Sequence, residues 1–268
     1  VYFTMVIETR KAEITYCNRN LQVEYFLRPG QKETLLYLHG LGCSKDDFLG
    51  ATETKSLNEH TLIALDFPGH GNSDYPGELD MDDLVEITRL FIDKLNLQDP
   101  VLIGHSMGGL EALLFSERYA GKVKAFVNVE GNLESGDCTF SRQAVAVDYD
   151  TFLNRTFRDF KTVLHFGKRP GFKKCAETLA KYHAQRAMYD YSPSMISYSD
   201  SGKLIEKFAS LEIPKCFIHG SDNSALSYIP ELKEKGIPVF EISNSHHFPQ
   251  HDNPIEFYRV ISDFLEGL

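Results

Sequence analysis

The feature that most constrains the fold of this chain is Gly104-His105-Ser106-Met107-Gly108. It follows a short apolar run, Pro100-Val101-Leu102-Ile103, and precedes a helical stretch, Leu110-Glu111-Ala112-Leu113-Leu114-Phe115. A serine on so sharp a strand-to-helix bend tolerates no bulk two positions to either side, because a Cβ there would strike the strand or the helix. Gly104 and Gly108 meet that need, and Gly109 adds room. In this setting Gly-x-Ser-x-Gly is a nucleophile elbow, which requires a sheet behind it.

The rest of the chain supplies one. Strand-like segments fall at residues 12–17, 21–27, 34–38, 61–65, 100–103, 123–129, 215–218 and 237–242. Asn18-Arg19-Asn20 reads as the hairpin turn between the first two. Helical segments alternate with the later strands, which predicts an α/β fold: eight strands, mostly parallel, with helices on both faces. From Asp80 onward Leu84, Ile87, Phe91 and Leu95 recur at helical spacing and form one apolar face. The last helix opens with Asn253-Pro254-Ile255-Glu256, read as an N-cap, a proline at the first helical position and a capping-box glutamate.

The alternation stops between residues 134 and 210, where the pattern becomes mainly helical. This block holds twelve of the chain's thirty-two Phe and Tyr residues. Beyond Glu134 it carries twelve Lys and Arg against eight Asp and Glu, a formal +4 inside a chain of net charge −10. Such a shift marks an insertion, with residues 1–133 and 211–268 as the core. Because it begins just after the strand that follows the nucleophile helix, it is expected to cover the active site as a lid. A plain helical insertion with its own aromatic core is the simpler alternative.

The 268 residues fit one large domain or a domain with an insertion. A net charge of −10 argues against a nucleic-acid partner. No apolar run approaches the ~20 residues needed to span a bilayer. The opening residues lack the basic and long apolar regions of a secretory signal, and Met5 is a candidate natural start. Cys17, Cys43, Cys138, Cys175 and Cys216 are odd in number and scattered, as free thiols of a cytoplasmic protein would be.

A serine hydroxyl needs a base to remove its proton as it attacks, and histidine titrates in the right range. Ser245-His246-His247-Phe248-Pro249 follows the last strand, where a loop can return to Ser106; it offers two adjacent candidates. With His251 nearby a metal site comes to mind, but no partnering carboxylate or cysteine pattern accompanies these histidines, and none is expected. The oxyanion of an acyl-transfer intermediate needs backbone N–H donors. Met107, next after the nucleophile, and Leu41, in the glycine-rich loop Leu38-His39-Gly40-Leu41-Gly42, are the candidates. The histidine also needs a carboxylate to hold its tautomer. Asp222 follows the seventh strand, and Glu130 ends the sixth. A carboxylate at a strand end, followed by glycine, is costly to place there without a task.

Together these parts resemble the α/β-hydrolase superfamily. The resemblance rests on Leu38-His39-Gly40, Asp66-Phe67-Pro68-Gly69-His70-Gly71-Asn72-Ser73, the Ser106 elbow and His247-Phe248-Pro249. It implies an eight-stranded core with a lid inserted after the sixth strand, and it selects His247, immediately before Phe-Pro, as the base. Most members of the superfamily place the acid where this chain has Asn223. A subset similar to some haloalkane dehalogenases places it after the sixth strand instead, which favours Glu130 over Asp222. Dehalogenases and epoxide hydrolases of the superfamily use aspartate as nucleophile, so Ser106 points to acyl transfer. The expectation is a cofactor-independent serine hydrolase acting on a small to medium, partly apolar carboxylic ester. A thioesterase, a carbon–carbon bond hydrolase or a perhydrolase would use the same triad. A non-catalytic ligand receptor is the rival of another class.

Overall fold

The computed structural model describes residues 7–268, so Met5 lies outside the described residues. The expected strands form as β1 (Glu8–Tyr16), β2 (Arg19–Arg28), β3 (Lys32–Leu38), β4 (His60–Leu65), β5 (Val101–His105), β6 (Ala125–Val129), β7 (Lys215–Gly220) and β8 (Val239–Ile242). They make one sheet of order β1-β2-β4-β3-β5-β6-β7-β8. β2 pairs antiparallel with β1 and β4, and every other pairing is parallel. The centre of the sheet is covered on both faces, which is why β5 and β6 are apolar runs rather than alternating ones.

The β1–β2 turn is tighter than its sequence suggested. Tyr16 pairs with Arg19, leaving Cys17 and Asn18 as a two-residue turn with φ of 47° and 59°. Two consecutive positive φ values match the right-handed twist of a hairpin, so the second strand begins at Arg19 and takes Asn20 into the ladder.

The principal helices are α1 (Met81–Lys94), α2 (Met107–Arg118), α3 (Thr139–Val145), α4 (Phe157–His165), α5 (Pro170–Lys181), α6 (Gln185–Asp200), α7 (Leu204–Ser210) and α8 (Pro254–Glu266). Asp80 caps α1, exchanging hydrogen bonds with Asp83. Leu84, Ile87 and Phe91 bury the expected face with Leu110 and Phe115 of α2. Phe257 and Ile261 of α8 cover the opposite face of the sheet over Tyr37, Ile103 and Val127. Asn253 caps α8, but Glu256 does not close a capping box. The Asn253 backbone N–H is already used by Pro249 O at the end of a preceding short helix, so Glu256 accepts instead from Ser243 and the Asn253 side chain.

Between β6 and β7 the chain is helical, as expected. Phe152, Phe157, Leu164, Cys175, Leu179 and Met188 form a cluster of their own, joined to the core through Cys43 and Phe248. α7 lies within the expected insertion, yet Phe208 packs edge-on against Phe126 of β6, with ring centroids 5.4 Å apart. The chain has therefore returned to the sheet layer by α7.

Candidate active site

β5 delivers Ser106 to the carboxyl edge of the sheet at φ 54° and ψ −120°, a conformation that a side-chain-bearing residue rarely adopts. The bend has no space to spare. A Cβ on Gly104 would sit 2.3 Å from Gly108 O, and one on Gly108 would sit 2.2 Å from Leu38 O. Ser106 N–H donates to Val129 O at 3.0 Å, which ties the elbow to β6. Met107 opens α2, so its N–H belongs to the first turn, where the helix leaves donors unpaired and the macrodipole is positive.

Glu130 directly follows β6 and is also held at positive φ, 47°. This turns its side chain into a nest of donors. Oε1 accepts from Gly220 N–H at 2.7 Å and Asn223 Nδ2 at 2.9 Å, and Oε2 accepts from Asn223 Nδ2 at 2.7 Å. His247 Nδ1 lies 2.8 Å from Oε2. Burial alone would push this carboxyl up. The hydrogen bonds from His247, Asn223 and Gly220 outweigh it and hold Glu130 below the usual carboxylate range. An ionised Glu130 makes Nδ1 the protonated nitrogen of His247 and leaves the lone pair on Nε2.

The histidine loop is braced from several sides. Asp252 accepts His246 N–H at 2.9 Å, His246 Nδ1 accepts His247 N–H at 2.7 Å, and His105 Nε2 donates to His247 O at 2.7 Å. Burial, then the neighbouring His247, pushes His105 down to about 3, so it serves as a neutral donor. His251 faces Asp47 at 3.3 Å. Asp222, the other sequence candidate for the acid, is taken by Arg169 in a two-pronged ion pair at 2.8 and 2.6 Å.

Two further histidines shape the loop that carries Leu41. Burial holds both His39 and His70 below the imidazole range, so each is neutral and can accept. His70 Nε2 accepts Gly42 N–H at 3.0 Å, and His39 Nε2 accepts Phe67 N–H at 3.0 Å. Lys45 anchors the far end of that loop: its N–H and Nζ both reach Asp66, at 2.7 and 2.9 Å, and Nζ also reaches Glu24 at 2.9 Å. The Asp66–Ser73 motif thus positions the Leu41 loop. In the sequence, the sign of that role is the pair His39 and His70, one in each loop.

Gly40, Leu41, Ser106, Glu130 and His247 line one cavity of about 470 Å³. Phe140, Phe160, Leu164, Phe172 and Met195, all from the helical segment, close over it. The cavity thus brings together a serine on a strained turn, a histidine with an oriented tautomer and an apolar enclosure, beside the start of α2.

This is the frame of an α/β-hydrolase. Residues 33–254 match the alpha/beta hydrolase fold family, and the chain belongs to it. It is similar to a provisionally named esterase/lipase 1 of Mycoplasma genitalium, at 25% identity over 78% of this chain and 83% of that protein. A provisionally named esterase/lipase 2 of Mycoplasma pneumoniae is 26% identical over 89% of this chain and 91% of its own length. Among solved structures, a thermophilic esterase from Thermogutta terrifontis shares the fold with a TM-score of 0.73 at 18% identity, covering 97% of this chain and 98% of that one.

Proposed function

We propose that the protein is a cofactor-independent serine hydrolase that cleaves carboxylic esters through an acyl-enzyme. The observation that carries this reading is the 2.8 Å contact of His247 Nδ1 with the buried Glu130, beside Ser106 in one cavity. Ser106 Oγ attacks the ester carbonyl while His247 Nε2 takes its proton. The N–H groups of Leu41 and Met107 receive the oxyanion. His247 returns the proton to the departing alcohol, and Glu130 stabilises the imidazolium in between. A water molecule activated by His247 then releases the acid.

Residues 134–203 act as a lid, with α7 part of the core layer. The aromatic lining and a volume of about 470 Å³ suit a small to medium, partly apolar acyl group. The esterase/lipase names of the Mycoplasma relatives support an ester substrate over the thioesterase, carbon–carbon hydrolase and perhydrolase readings.

A fluorophosphonate probe tests the proposal. The parent is expected to label, Ser106→Ala to remain unlabelled, and a p-nitrophenyl ester series to be hydrolysed faster than matched thioesters. A folded parent that does not label overturns the catalytic reading.

A further inference from the structure

The lid has an outer face for which the hydrolase chemistry has no use. α4 and α5 form a helical hairpin whose inner side, Phe160, Leu164, Phe172 and Cys175, lines the catalytic cavity. Its outer side is unusual for a protein surface. Phe166, at the tip, is 78% exposed, and Val163, one turn earlier, is 71% exposed. Isolated exposed apolar residues need no explanation, but these two are not isolated. Val163 borders a second hollow of about 600 Å³ between α3 and α4, where Phe140, Ala146, Val147 and Phe160 supply apolar walls and Arg155 and Asp159 add one charge of each sign.

Charge makes the face specific. Residues 153–174 contain seven Lys and Arg and one acidic residue, a formal +6 inside a chain whose total is −10. Arg155, Arg158, Lys168, Lys173 and Lys174 are exposed. Arg169 is committed to Asp222, while Arg158 and Lys174 have only loose neighbours in Asp159 and Glu177, each at 3.7 Å. Arg155, Lys168 and Lys173 have no carboxylate partner among the described residues. An acidic protein is repelled by an anionic surface unless it presents a basic face, and here the exposed cations fall in the same stretch of chain as two protruding apolar side chains. No described helix is long and apolar enough to cross a membrane.

We propose that the outer face of the α4–α5 hairpin docks the protein on anionic phospholipid surfaces. Phe166 and Val163 enter the interface between headgroups and acyl chains, Lys168, Lys173 and Lys174 contact the phosphates, and Arg155, just before α4 on the hollow that Val163 borders, adds a further positive charge. Resting on the proposed hydrolase reading, this makes esters held in lipid the substrate class of the Ser106 site. The cavity wall and the docking face are opposite sides of the same two helices.

Vesicle sedimentation tests docking without reference to catalysis. The parent is expected to bind vesicles of phosphatidylglycerol and phosphatidylcholine, to ignore pure phosphatidylcholine, and to release as salt rises. Lys168→Glu/Lys173→Glu/Lys174→Glu should weaken partitioning roughly a hundredfold or more, and Val163→Ser/Phe166→Ser about tenfold or more. Both variants should hydrolyse a water-soluble short ester and label with fluorophosphonate like the parent, which shows that they fold. If the parent stays in solution with anionic vesicles, or both variants bind like the parent, the docking proposal is overturned, and an acidic protein becomes the better partner for this face. Docking without labelling of the parent would overturn the catalytic reading alone.

Discussion

Two glutamates are buried within reach of the nucleophile helix, and their surroundings send them in opposite directions. Glu130, at the β6 edge, accepts from Gly220, Asn223 and His247 and is held below the ordinary carboxylate range. Glu111, in the middle of α2, has no N–H donor on either oxygen among the described residues, only the Thr88 hydroxyl of α1 near it, and is pushed up to about 8 by burial. Both side chains are buried, so burial does not distinguish them. Donors do. A carboxylate supplied with fixed N–H groups can stay charged out of water, and one without them takes up a proton.

The sharpest way to break this comparison is to remove each charge in turn. Glu130→Gln is expected to lower kcat by about 10³–10⁴-fold, since an amide cannot stabilise the imidazolium and imposes the wrong tautomer. Glu111→Gln should leave kcat within a few-fold, because Glu111 already presents a neutral group to its surroundings. Equal losses in steady-state hydrolysis of a short ester would show that Glu111 contributes to the chemistry or that Glu130 does not.

Stability reverses the order. The Glu111 carboxyl binds a proton in the folded state that the unfolded chain releases above its ordinary value of 4.5. Folding stability on its account is complete below that pH and is lost as pH rises towards about 8. Glu111→Leu should remove this slope and stabilise the protein by roughly 3 kcal/mol at pH 7, measured by urea unfolding across pH 4–9. Glu130 has the opposite sign. Its depressed value contributes stability above the unfolded carboxylate pKa, and that contribution fades as pH falls through the folded one. Parallel slopes in the two variants would refute the contrast.

The two residues also differed in how visible they were. Glu130 stood out in sequence because it ends a strand and precedes a glycine, a place where an unused charge is costly. The order of strands, the elbow and the histidine loop were legible for a related reason: each depends on residues adjacent in the chain, through glycine sterics or helical and strand periodicity. Glu111 gave no such warning, since a glutamate in Leu110-Glu111-Ala112 looks like the polar side of a helix. Only the packing of α1 over α2 buries it. The same limit hid the task of Asn223, which fills the position where most superfamily members carry the acid and here clamps Glu130 from 93 residues away. It also hid the brace that His70 gives to Gly42. Such roles lie in contacts between distant segments, on which local patterns are silent. The hairpin turn differs for the opposite reason: strand twist sets its two residues, Cys17 and Asn18, while composition favours Asn18-Arg19-Asn20.

Asn223 offers a finer test of the donor argument. Asn223→Ala removes both of its hydrogen bonds to Glu130 and keeps the backbone. The Glu130 carboxyl should then titrate higher, so the stability its ionisation contributes between pH 3 and pH 7 should shrink by roughly 1 kcal/mol in urea unfolding. An equal loss of stability at every pH would mean that Asn223 shapes the loop and leaves the charge on Glu130 unchanged.

Asp222 completes the series as a carboxylate that is neither buried nor near-neutral. Arg169 holds it below the ordinary range through a hydrogen-bonded ion pair on the surface between the lid and the β7 loop. An exposed pair of this kind contributes little, because water solvates both charges nearly as well apart as together. Asp222→Asn should therefore change kcat on a short soluble ester by less than about threefold. The comparison with Glu130→Gln is decisive because both substitutions are isosteric and both lie in loops at the same sheet edge. If Asp222→Asn were the crippling change, the base would be served from the β7 loop in solution, and the donor nest around Glu130 would be a structural device rather than the source of the acid. A small effect there beside a large one at Glu130 would locate the acid by function as well as by hydrogen bonds.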